Sequence, residues 1–316
     1  MTTTHETRLL FRPTDSQWGY LPEGPVSLGP GRFSWITIQT SPSSEQGALH
    51  CFDYGAGNTT YPLPGRPGFA FPTASEHQFL IGLERSVVLF DTDTGKLETL
   101  ADNIDSHTTG TIINDAVVFS EGLVFGGKDL EFKQHKSGLY FLRRRDRRLF
   151  QLRRDQLCSN GKFIRPLAGD RYELFDIDTP TQKVMRYELN VATGELSAGS
   201  VALDVAAVTG FPDGMIQVPG RDEVIIAMFN PEPASVGYAL RFALGSDAIL
   251  EAWEVQASPQ VTCPQLVENQ GETRLVLTTA AENMSPERLA EHSNAGCLFD
   301  GPIAVESIGD QPRVDW

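Results

Sequence analysis

Four short polar segments recur along the 316-residue chain in nearly constant phase: Glu23-Gly24-Pro25, Asn114-Asp115-Ala116, Asn160-Gly161-Lys162 and Asp213-Gly214-Met215. Each opens an apolar run. Two further runs of the same design open at about Phe69 and Thr262, without a carboxylate or carboxamide, and successive openings lie 45 to 53 residues apart. Taken singly, Asn-Gly and Asp-Gly are turn formers, and Glu-Gly-Pro can end a loop. As a set they keep step with a repeat, which turns have no reason to do. Glu23, Asn114, Asn160 and Asp213 brought to one place would supply two carboxylates and two carboxamide oxygens. Such a hard oxygen site suits Ca²⁺, Mg²⁺ or Mn²⁺, with Zn²⁺ or Fe²⁺ as further candidates. Without imidazole or thiolate in the set, copper is a poor fit.

The elements that must position these groups are short strands. After each opening comes a run rich in β-branched and aromatic residues: Arg32 to Ile38, His77 to Leu83, Leu123 to Gly127, Arg171 to Ile177, Glu223 to Phe229 and Thr273 to Thr279. A second run follows each, and in four units a third closes it, with turn signals such as Asp93-Thr94-Gly95 and Ala192-Thr193-Gly194 between them. Four strands per unit and six units predict an all-β, six-bladed β-propeller of four-stranded antiparallel blades, with 1–316 as a single domain. The ring has to close so that no long sheet edge stays exposed, and Arg8-Leu9-Leu10-Phe11 is the N-terminal strand available to complete the last blade. In that architecture the start of each first strand stands at the mouth of the central channel. Glu23, Asn114, Asn160 and Asp213 are then expected to converge there.

Two stretches stand outside the repeat. Arg143 to Arg154 holds seven arginines around Leu149, Phe150 and Leu152, and reads as a hairpin at the outer edge of blade three rather than a docking patch. Met284 to His292, with Pro286 at a first helical turn, reads as a short helical insertion in blade six.

The formal charge of −15 argues against nucleic acid or an anionic membrane surface as partner. No apolar run approaches the roughly 18 residues of a membrane-spanning helix, and the N-terminal residues lack the basic and apolar regions of a signal peptide. Cys51, Cys158, Cys263 and Cys297 are scattered without Cys-x-x-Cys spacing, so reduced thiols and a cytoplasmic location are expected. There is no Gly-x-Ser-x-Gly elbow and no His-Glu-x-x-His, which argues against a serine esterase or a zincin.

The chain resembles the family of regucalcin, gluconolactonase and luciferin-regenerating enzyme over essentially its whole length. The resemblance rests on Glu23-Gly24-Pro25, Asn114-Asp115, Ser159-Asn160-Gly161 and Pro212-Asp213-Gly214-Met215. It is supported by Asp176-Ile177-Asp178-Thr179-Pro180-Thr181 followed by Tyr187-Glu188-Leu189. It implies one divalent cation, calcium first, with Glu23, Asn160 and Asp213 as metal ligands and Asn114 beside the metal touching substrate. It implies hydrolysis of a small sugar-type or aliphatic lactone by a monomer or weak homo-oligomer. Asp213 would then accept the proton of the attacking water, and Asn114 would share the developing oxyanion with the cation. The chain departs from the pattern where substrate is expected. Ile112 stands where many members carry arginine, and Gly126-Gly127-Lys128 replaces Gly-Thr-Met, followed by Asp129 and Glu131. Ile112, Lys128 and Glu131 are therefore the candidate substrate-facing positions that differ. The competing expectations are a phosphotriesterase-like hydrolase of the same fold and a non-catalytic calcium-binding propeller.

Overall fold

The computed structural model describes residues 2–313 and 315–316. Short runs of β-branched and aromatic residues between frequent turn residues fold the chain into six antiparallel sheets, a six-bladed β-propeller. Blade one comprises Pro22–Gly29, Arg32–Thr37, Gly47–Asp53 and Gly57–Leu63, and blade two Pro67–Pro72, Gln78–Leu83, Ser86–Asp91 and Leu97–Ala101. Blade three comprises Thr111–Phe119, Gly122–Asp129, Ser137–Arg143 and Arg148–Gln156. Blade four has Ser159–Pro166, Arg171–Asp178 and Lys183–Asn190, whose outer side carries the short Glu195–Leu196 and then Ser200–Asp204. Blade five is Phe211–Gln217, Glu223–Phe229, Val236–Ala243 and Ile249–Gln256. Blade six is Val261–Asn269, Glu272–Thr279 and Leu298–Pro302, with Arg8–Phe11 as its outermost strand, the closure expected from the sequence.

Three features depart from the sequence reading. The outer strand of blade four, Ser200–Asp204, is not located by the apolar runs, because its approach Ser197-Ala198-Gly199 is built of small residues and carries no strand signal. The third strand of blade six begins at Leu298, two residues into the run Gly296 to Phe299 that the sequence offers for it. Thr3–Glu6 also forms a strand, pairing in parallel with Ile249–Gln256 of blade five. No helix among the described residues is long and apolar enough to cross a membrane.

The chain divides into two compact units, residues up to Pro67 with Ala207–Gln311, and Gly68–Ala206 with Pro312–Trp316. Within the first, Ile225, Trp253, Leu266, Leu275 and Phe299 pack blade five on blade six. Phe33, Trp35, Val276 and Leu298 pack blade six on blade one. Within the second, Phe69, Leu80, Ile113 and Phe125 join blades two and three, and Val124, Phe141, Leu174 and Leu189 join blades three and four. Both faces of these sheets are buried, so their strands are apolar on both sides rather than alternating.

The arginine-rich stretch is the expected hairpin. Arg143 is buried, donating to the Val191 and Ala192 carbonyls and forming a two-point ion pair with Asp146. Arg143 and Arg148 also lie over the Phe150 ring. The predicted insertion contains the helix Pro286–Glu291, capped by Ser285, whose hydroxyl accepts from Arg288 N.

Candidate functional site

The recurring polar openings fold as β-bulges. In blade three Ile113 pairs with Gly127 and Asp115 with Gly126, leaving Asn114 as the extra residue. In blade four Asn160 pairs with Ile177 and Lys162 with Asp176, leaving Gly161. In blade five Asp213 and Gly214 stand between the pairs Pro212–Met228 and Met215–Ile226. Gly24 and Pro25 interrupt blade one, and Thr262 interrupts blade six, in the same way. A bulge leaves a residue outside the ladder, turns its side chain away from the regular alternation and sharpens the local twist. The periodic signal in the sequence is thus a structural device at the head of five first strands.

In the second unit the device brings two predicted residues together. Asn114 Nδ2 donates to Asn160 Oδ1 at 2.7 Å and to the Ser159 carbonyl at 2.9 Å. Asn160 Nδ2 donates to Thr179 Oγ1 at 2.7 Å, and both asparagines are 6 % exposed. Behind them lies a charged pair that the sequence reading did not single out. Lys162 Nζ is fully buried, donates to the Asn160 carbonyl at 2.6 Å and stands 3.2 Å from Asp176 Oδ1. Burial pushes the Asp176 carboxyl up, opposed by the Lys162 charge and by hydrogen bonds from Lys162 and Gln156. Burial likewise raises the pKa of Asp115, with Lys162 pulling the other way. A lone lysine at the head of Lys162-Phe163-Ile164 was the available signal, because a charge entering a buried strand needs a partner.

In the first unit Glu23 and Asp213 stand on separate blades. Asp213 is 8 % exposed. Glu23 is partly buried, its Oε2 accepting from Gly24 N at 2.8 Å. Blade six fixes the carbonyls around Glu23: Thr262 Oγ1 donates to Pro22 O at 2.7 Å and Gln265 Nε2 to Pro25 O at 3.1 Å. The opening without an acidic side chain, at Thr262, therefore anchors the one that has it. Gly214 is required by close approach, since a Cβ there would lie 2.5 Å from Cys263 Sγ and 2.8 Å from its Cα.

The positions that depart from the family pattern lie in blade three. Ile112 and Lys128 are directly opposite in register and are 2 % and 8 % exposed. Lys128 is thus not a surface lysine. Asp129 does not pair with it. Burial alone would raise the Asp129 pKa, but Lys136 Nζ and the amides of Lys133, Gln134 and Glu131 hold it well below the usual carboxylate range. Glu131 is exposed, 3.2 Å from Lys133 Nζ, and His107 is exposed against the Lys136 carbonyl. All four cysteines are free thiols. Among the described residues no group of three or more His, Cys, Asp or Glu side chains could hold a metal ion.

The profile of the family described as the SMP-30/Gluconolactonase/LRE-like region matches residues 21–281. The Bacillus subtilis (strain 168) protein YvrE, provisionally named a sugar lactone lactonase, is 25 % identical over 242 residues, which are 75 % of this chain and 77 % of that one. The calcium-binding protein regucalcin of Agrobacterium tumefaciens superposes with a TM-score of 0.80 at 21 % identity, covering 99 % of each chain. A luciferin-regenerating enzyme superposes with a TM-score of 0.77 at 16 % identity, covering 93 % of this chain and 95 % of that one.

Proposed function

The chain belongs to the SMP-30/gluconolactonase/LRE-like family, and on that premise we propose that it is a divalent-metal-dependent hydrolase opening a small sugar-type or aliphatic lactone. The observation that carries the reading is the buried pairing of Asn114 with Asn160, 2.7 Å apart at neighbouring bulges. Carboxamides fixed in this way, together with the Glu23 and Asp213 carboxylates, are the donor types a hard cation takes. We assign Glu23, Asn160 and Asp213 as its ligands, calcium being the first candidate in view of the calcium-binding regucalcin that shares the fold. A bound divalent cation would supply Lewis acidity toward a lactone carbonyl and toward water.

The remaining steps belong to the chain. Asp213 takes the proton of the attacking water, a role that suits a largely buried carboxylate at a bulge. Asn114 has one amide hydrogen anchored on the Ser159 carbonyl, which sets its orientation. The other rests on Asn160 Oδ1, and it is this hydrogen that the developing oxyanion would have to share. Lys162 and Thr179 hold the backbone and side chain of Asn160, so they are positioning residues rather than catalytic ones. Ile112, Lys128 and Glu131 are assigned to the substrate side. An aliphatic Ile112 offers nothing to a sugar hydroxyl, which favours a shorter or less polar lactone over D-glucono-lactone.

The test is proton release from a panel of γ- and δ-lactones beside a fluorophosphate triester, with protein as purified, after chelation, and after return of each cation. Lactone turnover lost on chelation and restored by one cation is expected, and Asp213→Ala should lower it at least about a hundredfold with the strand signal in circular dichroism unchanged. Faster turnover of the triester would assign the phosphotriesterase reading. Full cation occupancy with no turnover would assign a binding protein.

A further inference from the structure

The helix Pro286–Glu291 and its flanks lie between the second and third strands of blade six, and the proposed hydrolysis makes no use of them. This insertion is tied at both ends to the connection joining blade five to blade six. Gln260 Nε2 donates to the Glu282 carbonyl at 3.0 Å, and Asn294 Nδ2 donates to the Gln256 carbonyl at 3.0 Å. Asn294 N donates to the Ala257 carbonyl at 3.2 Å. Ser258 and Gln260 lie on the connection within these ties, and Arg288 and His292 lie on the insertion between them.

All four bury polar atoms that find no partner. Ser258 Oγ, Gln260 Oε1, Arg288 Nε and Nη2, and both ring nitrogens of His292 make no hydrogen bond among the described residues. Ser258, Gln260 and His292 are 0 %, 2 % and 5 % exposed. A buried group left without a hydrogen bond destabilises the fold, and folded proteins hold few of them. Six such atoms on two tied segments mark a place built for something else to complete.

The donor set defines what completes it. Nε and Nη2 form one edge of the guanidinium, the fork that takes two oxygens of a carboxylate or a phosphate. His292 offers an N–H in either tautomer, and Ser258 a hydroxyl. Gln260 Oε1 is an acceptor whose amide nitrogen is already engaged on Glu282. We propose that the blade-six insertion and the connection beneath it form a binding site for a small oxyanion that also carries a hydroxyl, a hydroxycarboxylate or hydrogen phosphate. Arg288, His292 and Ser258 hold the oxyanion, and its hydroxyl donates to Gln260 Oε1. The insertion is in turn tied to the segment leading into Glu23, through Ala281 N to the Tyr20 carbonyl at 3.0 Å and Tyr20 Oη to Asn283 Oδ1 at 3.0 Å. An occupant therefore stiffens the approach to that strand. The site does not depend on the hydrolase reading and is testable without turnover.

The experiment is thermal unfolding of the full chain in inorganic phosphate, glycolate and acetate, each titrated against chloride at constant ionic strength. A saturable rise in Tm is expected, larger for glycolate than for acetate, which lacks the hydroxyl. The stronger of phosphate and glycolate identifies the ligand class. Arg288→Gln should weaken the apparent affinity at least about tenfold, the effect of losing a charge-assisted two-point contact. Ser258→Ala should weaken it less, and gives the same comparison if the arginine variant does not fold. No saturable shift with any of the three anions, or equal shifts in wild type and both variants, would overturn the proposal and assign these groups to buried water.

Discussion

Asn160 is held from two sides, by Thr179 Oγ1 accepting from its Nδ2 and by Asn114 donating to its Oδ1. Residues that orient a ligand typically change metal affinity 10–100-fold when removed. Thr179→Val keeps the shape and deletes the acceptor, so under the proposed assignment of Asn160 as a calcium ligand the affinity measured by calorimetric titration should fall about tenfold or more. Unchanged affinity would show that Asn160 is oriented without it. A second residue-scale prediction concerns pH. His50 is fully buried in blade one, stacked on Trp35 at 3.7 Å between ring centroids, with Thr37 and Thr60 hydroxyls at 3.0 and 2.9 Å from its ring nitrogens. Burial pulls its pKa down to about 3 from 6.5, so the unfolded chain takes the proton first. Its contribution to stability is complete above pH about 6.5 and is lost as pH falls toward 3, by about 1.4 kcal/mol per unit. Between pH 7.5 and 5 the loss from this group is about 2 kcal/mol, which His50→Gln should remove from the urea-measured stability difference. An equal loss in the variant would place the acid sensitivity elsewhere.

At the scale of elements, the first strands carry the argument. Their bulges coincide with Asn114 and Asp213 and adjoin Glu23 and Asn160, while the bulge at Thr262 supplies a hydroxyl that fixes Pro22. Neighbouring blades also approach each other where a glycine leaves room: a Cβ on Gly126, in the second strand of blade three, would lie 2.0 Å from Ser159 Oγ, and one on Gly214, in the first strand of blade five, 2.5 Å from Cys263 Sγ. Gly214→Ala should therefore destabilise the protein by about 1–3 kcal/mol in urea unfolding, the usual cost of overpacking. Adding Cys263→Ala should recover part of that cost, because the sulfur is the nearest contact while the Cα at 2.8 Å remains. Additive effects of the two changes would show that these strands tolerate each other's side chains. The sequence marked these places as strand openings in phase with the repeat, but not as bulges. A bulge is defined by the partner strand's register, which a single strand's residues do not state.

At the scale of the molecule, we take 1–316 as one domain, although the contacts separate blades one, five and six from blades two, three and four. Trp18, Trp35 and Trp253 lie in the first set and Trp316 in the second, so the fluorescence of a Trp316→Phe variant reads the first set, whereas far-ultraviolet circular dichroism reads the strands of both. A single domain predicts coincident urea transitions by the two signals. Fluorescence and dichroism midpoints that separate would show two folding units.

What the sequence determined by itself was whatever repeats or alternates locally. Six openings in phase, β-rich runs between turn residues and Arg8–Phe11 left over for the last blade were sufficient for the blade count and the closing strand. Family membership was legible in the same residues, now matched over 21–281. Tertiary structure alone decided which side chains meet. Lys162 and Asp176, Asn160 and Thr179, and Thr262 and the Pro22 carbonyl are separated by 14, 19 and 240 residues, and no periodicity links them. Thr3–Glu6 carries no signal for a parallel partner some 250 residues away, since its ladder is set by the blade it reaches. The unpartnered atoms of Ser258, Gln260, Arg288 and His292 are the extreme case. In sequence they are ordinary residues of a connection and a short helical insertion, and only burial, which the packed chain imposes, turns their missing hydrogen bonds into a physical demand.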